Sequence, residues 1–110
     1  MIAEKATESI NQAVCYELQN IVKNHGAVYH SGHEGYAILK EEYEEAIDAL
    51  HGLDKQLSVI WANIKANLDC RNAVAETRDW ALALCEEAVQ CAAVSEKFLE
   101  TLNGIIGDEK

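Results

Sequence analysis

Apolar residues recur at three- and four-residue steps along most of the chain, the spacing that lines one face of an α-helix. Between about residues 3 and 25 the stripe is Ala6, Ile10, Ala13, Val14, Leu18, Ile21 and Val22, and Gly26 is placed to end this first helix. Residues 26–30 read as a loop. Ser31-Gly32-His33-Glu34 then has the Ser-x-x-Glu form of a capping box, which makes Ser31 the N-cap of a second helix.

The second helix carries two interleaved series, Tyr36, Tyr43, Leu50, Leu57 and Ile64 at one position and Leu39, Ala46, Leu53 and Ile60 at the other. The phase holds from Tyr36 to about Leu68, so one helix over 31–68 is expected. Gly52 costs about 1 kcal/mol without shifting the phase; a kink there, or two separate helices, are the alternatives. The pattern lapses around 67–72, where Asp69 or Asn72 can cap a third helix over 71–104. That helix is rich in small residues (Ala81, Ala83, Ala88, Ala92, Ala93, Ser95), and Gly104 and Gly107 mark its end, with residues 108–110 expected to fray. The prediction is an all-α, antiparallel bundle of three to four helices. Two of them are roughly 50 Å long at 1.5 Å per residue, too long for a 110-residue monomer to wrap into a globule, so a homodimer or higher oligomer is expected.

Composition supports this picture. The chain has no Pro and 49% apolar residues, enough for one domain over residues 1–110. Nineteen acidic residues against nine basic give a formal charge of −10, which repels nucleic acid and anionic membranes. A small phosphate-bearing ligand would need divalent metal between the two anions. Cys15, Cys70, Cys85 and Cys91 lack Cys-x-x-Cys spacing and sit among Ala, Leu and Val, so they are expected to be reduced core residues. With no signal-peptide pattern at Met1-Ile2-Ala3-Glu4-Lys5 and no long apolar span, the expected location is the cytoplasm.

Acids interrupt the apolar stripes. Glu87 shares a helical direction with Trp80, Leu84, Cys91, Val94 and Phe98; Glu42 lines up with Leu39, Leu53 and Ile60; Glu45 borders that stripe, and Glu17 lies between Val14 and Ile21. A buried carboxylate without a partner is expensive. Several converging acids therefore point to a shared hard cation, Mg²⁺ or Mn²⁺, held by oxygen ligands. Glu42, Glu45 and Glu87 are the candidate metal ligands, with Glu41 beside them. A turn centred between residues 66 and 69 places Glu45 opposite a residue between 87 and 93, which is the register such a site requires.

Glu42-x-x-Glu45 preceded by Glu41, with Glu87-x-x-Gln90 in a later helix, resembles the all-α nucleoside triphosphate pyrophosphohydrolases of the MazG and dimeric dUTPase type. Their pattern is Glu-x-x-Glu followed by Glu-x-x-Asp. His33 to Lys40 and Gln90 to Ala93 also look like small phage and prophage proteins near that superfamily. The resemblance covers roughly residues 30–100. It implies an oligomeric bundle that binds Mg²⁺ through these acids and splits a nucleoside triphosphate into monophosphate and pyrophosphate, with Glu41 as the candidate base for the attacking water and Lys40 and Gln90 toward substrate. Gln90 stands where the family places a metal-binding Asp, which raises a degenerate member as an expectation, and Glu76-x-x-Asp79 is an alternative second half.

Other constellations are weaker. His30-x-x-His33-Glu34 with His25 falls short of a zinc ligand set and reads as loop and cap. No Ser or Cys has a nucleophile setting, and no glycine run cradles phosphate. Lys23 and Arg78 read as ordinary surface charges, and Trp61 and Trp80 as packing anchors. The rival function is a noncatalytic helical interaction protein whose inward acids and small residues serve assembly.

Overall fold

The computed structural model describes residues 1–108, and among them the chain forms three helices and no strand: α1 (Glu4–His25), α2 (Gly32–Lys65) and α3 (Arg71–Asp108). Local chemistry sets most of the boundaries. Gly26 closes α1 at φ 88°, and its N–H reaches the Val22 carbonyl; that positive φ is strained for any residue with a Cβ. Ser31 caps α2 as expected, its Oγ accepting from the Glu34 N–H at 3.2 Å. Glu34 Oε1 in turn accepts from the His30 N–H at 3.2 Å. At the start of α3, Asp69 Oδ1 accepts from the Arg71 N–H at 2.9 Å and the carboxylate pairs with the Arg71 side chain.

Two boundaries differ from the sequence expectation. Helix α2 stops at Lys65 rather than 68, because Asn67 takes a left-handed φ of 57° and turns the chain. It runs through Gly52 without a break. Helix α3 passes Gly104 and continues to Asp108, since a single glycine weakens a helix without ending it. The expected fraying of 108–110 falls largely outside the described residues. No helix among them is long and apolar enough to cross a membrane.

The chain divides into two compact units, one made of residues 1–42 and 89–110 and the other of residues 43–88, so each long helix contributes to both. The first unit buries Tyr29, Ala93 and Val94 together with two polar residues, Lys97 and Thr101. Its 26–31 loop is held against α3: the Tyr29 N–H donates to Thr101 Oγ1 at 2.9 Å, and the Tyr29 ring meets Phe98 edge-on at 6.3 Å between centroids. Thr101 satisfies its own proton on the Lys97 carbonyl. Gly35 lets α2 approach the Phe98 ring, where a Cβ would come within 2.8 Å.

The second unit is a helix pair joined by residues 66–70. Its buried apolar residues are two alanines, Ala49 and Ala73. Gly52 sits directly against the Trp80 ring, which leaves no room for a Cβ. Trp80 is thus a packing anchor, as expected. Trp61 is not: it is exposed, with Lys65 Nζ 5.5 Å from its ring centroid. The cysteines also depart from a core role, because Cys15 and Cys85 are exposed and Cys70 and Cys91 are half-buried, and none of the four is in a disulfide. Their Ala- and Leu-rich surroundings lie on faces that the fold leaves open.

Candidate functional site

Glu45 is the hub of an acidic cluster. On its own helix Glu42 lies one turn earlier, and within the helix pair Glu87 of α3 comes up to it; each of the three offers a carboxylate oxygen within 4.8 Å of the others. Among the described residues this is the one group of three or more His, Cys, Asp and Glu side chains placed to share a cation. The register agrees with the sequence arithmetic: Glu45 meets Glu87 and Gly52 meets Trp80. Both pairs centre the turn on residue 66.

The electrostatics of Glu87 follow from that placement. Burial is the largest influence raising its carboxyl pKa, followed by the hydrogen bond with Glu45 and then the charges of Glu45 and Glu86. One oxygen, Oε2, is buried without a hydrogen-bond partner. The burial of Glu87 and the carboxylate of Glu45 beside it both favour the protonated form of Glu87.

A second feature belongs to the first unit. A cavity of about 460 Å³ is lined by Glu17, Glu34, Glu41 and Glu42, by the amides of Asn20, Asn24 and Gln90, and by His25, Tyr29 and Lys97, with Ile21, Ile38 and Val94 as its apolar wall. Lys97 is 2% exposed; its Nζ lies 4.2 Å from the Tyr29 ring centroid and 3.5 Å from the His25 carbonyl oxygen. The ammonium makes a cation–π contact there while its side chain is buried. The Tyr29 hydroxyl is buried without a hydrogen-bond partner. Its pKa is raised first by burial and then by the nearby charges of Glu34 and Glu42.

Of the residues singled out from sequence, Glu42, Glu45 and Glu87 form the cluster, while Glu17, Glu41, Glu42 and Gln90 line the cavity. Lys40 is exposed and is not among the lining residues, nor is Arg78, which pairs with Asp79 at 3.5 Å. His30 and His33 are exposed, and neither joins a cation cluster among the described residues. Sequence reasoning missed Lys97, Tyr29 and Thr101. The available signal was that Lys97 follows Gln90 by seven residues and precedes Phe98 on the buried stripe. No family model, curated protein or solved structure matches the chain.

Proposed function

We propose that the chain is a MazG-like, Mg²⁺-dependent nucleotide pyrophosphohydrolase. The observation that carries the reading is the convergence of Glu42 and Glu87 on Glu45. The donor set fits the ion: three carboxylates are hard oxygen ligands, and the orphaned Glu87 Oε2 is a buried acceptor that a cation would satisfy. Glu42, Glu45 and Glu87 would hold Mg²⁺, which when bound supplies positive charge against phosphate oxygens in a chain of net charge −10.

The protein groups do the remaining work. Glu41, exposed and on the cavity wall, takes a proton from the water that attacks the α-phosphorus; the bond to the bridging oxygen breaks, giving nucleoside monophosphate and pyrophosphate. Gln90 and the cavity amides offer neutral donors and acceptors to the uncharged part of a substrate, and the buried Lys97 ammonium offers a fixed positive charge.

The test is a pyrophosphate-release screen over canonical and damaged nucleoside triphosphates with Mg²⁺ or Mn²⁺, paired with calorimetry of the metal alone. Wild type should bind the ion and release pyrophosphate, and Glu42→Gln and Glu87→Gln should lose both. If wild type takes up no divalent ion at millimolar concentration and releases no pyrophosphate, the rival reading stands. That rival, a noncatalytic assembly protein, is favoured by one residue, Gln90 in place of the family's Asp.

A further inference from the structure

The first unit surrounds its cavity with more negative charge than its own cations answer. Glu17 of α1 and Glu34, Glu41 and Glu42 of α2 line the space against a single ammonium, Lys97, and that ammonium is already engaged with the Tyr29 ring and the His25 carbonyl. Among the described residues neither Glu17 nor Glu41 is in an ion pair. Nor do Glu17, Glu34 and Glu41 gather around one small ion, since the acids whose oxygens converge closely enough for that are Glu42, Glu45 and Glu87. A second observation marks the same space. Tyr29 is 7% exposed and its hydroxyl is buried with no hydrogen-bond partner, close enough to Glu34 and Glu42 that their charges add to burial in raising its pKa. The hydroxyl therefore stands at the acidic part of the cavity wall.

We propose that this cavity binds an aliphatic polyamine, whose ammonium groups meet the separated carboxylates one by one while its methylene segments lie on the apolar wall of Ile21, Ile38 and Val94. Three properties of the wall select that class. Acids too dispersed to share one ion are matched by several cationic groups spaced along a chain, and at half-buried positions such as Glu17 and Glu34 the attraction is screened less than in water. Branched aliphatic side chains give contact to methylenes, and the cavity amides and the Tyr29 oxygen accept from ammonium N–H groups. An anionic ligand without metal is opposed by all four acids. The volume of about 460 Å³ falls within the roughly 300–1,000 Å³ of small-molecule sites. Because α1 buries no residue of its own, a ligand that joins Glu17 to the acids of α2 also ties the first helix down. This goes beyond the proposed hydrolase activity and does not rest on it.

The experiment is calorimetric titration of the full chain with spermidine, in a chelator and without nucleotide, so that neither metal nor hydrolysis enters. Salt of about 0.15 M screens the diffuse pull of a strongly acidic chain. Wild type should bind one equivalent saturably. Glu17→Gln should weaken that binding about tenfold, the loss of one charged hydrogen bond, whereas Glu8→Gln, which removes the same charge from an exposed position of α1 outside the cavity, should change it by less than about twofold. Tyr29→Phe should weaken binding several-fold and still leave the free protein at least as stable in thermal unfolding, because it deletes a buried hydroxyl that has no partner. A Tyr29 that served packing alone would lose stability without that loss of affinity. Amide exchange in α1 should slow when spermidine is added. Wild type that takes up no spermidine at millimolar concentration overturns the proposal, and so does equal binding by Glu17→Gln and Glu8→Gln, which would mark attraction by net charge alone. Saturable binding by a chain that releases no pyrophosphate would end the hydrolase reading and leave this one standing.

Discussion

The two units use the same pair of long helices for opposite ends. In the first, α1 supplies a third helix and the 26–31 loop supplies Tyr29, so a core closes with polar groups inside it: Lys97 over the Tyr29 ring, and Thr101 between Tyr29 and the Lys97 carbonyl. The second unit has no third helix. Two helices meet along one line, bury two alanines, and leave their other faces to water. A third element therefore decides whether apolar residues at helical spacing become core or surface, and a polar cavity forms where that element is present.

Both units seat an aromatic ring on a glycine of α2, which allows a direct test of how tightly each is closed. A Cβ at Gly35 meets Phe98, a ring already fixed by its edge-on contact with Tyr29. At Gly52 it meets Trp80, which is 39% exposed and can swing outward. Overpacking a fixed ring costs about 1–3 kcal/mol, against a helix-propensity gain of roughly 1 kcal/mol on replacing glycine by alanine. Gly35→Ala should therefore lose about 2 kcal/mol in urea unfolding, while Gly52→Ala should come out near zero or slightly destabilised, within about 1 kcal/mol. An equal loss at both positions would mean that the helix pair is packed as rigidly as the three-helix unit.

Much of this architecture could be read in advance because its causes are local. Gly26, the Ser31 cap and the Asp69 turn each act within a few residues. Glu42, Glu45 and Glu87 were found because helical phase names a face and the position of one turn sets the register, and both are short-range quantities. What escaped depends on distant partners. Lys97 looks like a surface lysine until Tyr29, 68 positions earlier in the chain, covers it. Trp61 and Cys85 lie at apolar positions that a third helix would have buried, and nothing local reveals that this unit lacks one. Glycine was misread once, since Gly104 does not end α3; Gly52 stands inside α2 as expected, where Trp80 occupies the space of its side chain.

The polar core of the first unit offers a somewhat smaller effect. Thr101→Val keeps the shape but removes the acceptor of the Tyr29 N–H, leaving a buried donor without its partner, a loss of about 1–2 kcal/mol. Thr101→Ser retains the hydroxyl and should recover most of it. The 26–31 loop should report the change directly, since amide hydrogen exchange at Tyr29 is expected to accelerate in the valine variant and stay slow in the serine one. Unchanged protection in Thr101→Val would show that burial, not this hydrogen bond, holds the loop.

The smallest effect is at Glu87, and its sign runs the other way. Its pKa is raised in the folded state, chiefly by burial and then by Glu45. The folded protein thus holds this proton more tightly than the unfolded chain does. The stabilisation is fully present below the unfolded-state pKa of an ordinary carboxyl group and is lost as pH rises through the elevated folded value. At neutral pH without divalent metal, Glu87→Gln should therefore stabilise the chain by about 1 kcal/mol, seen as a rise of about 4–8 °C in melting temperature. The gain should fade as pH is lowered and wild-type Glu87 becomes protonated. Millimolar Mg²⁺ should raise the wild-type melting temperature at pH 7 and leave Glu87→Gln unmoved, because a bound cation and the lost charge relieve the same repulsion. A variant that melts lower than wild type at every pH would show that Glu87 holds the helix pair together as a structural acid, and the carboxylates would then have no cause to gather around an ion.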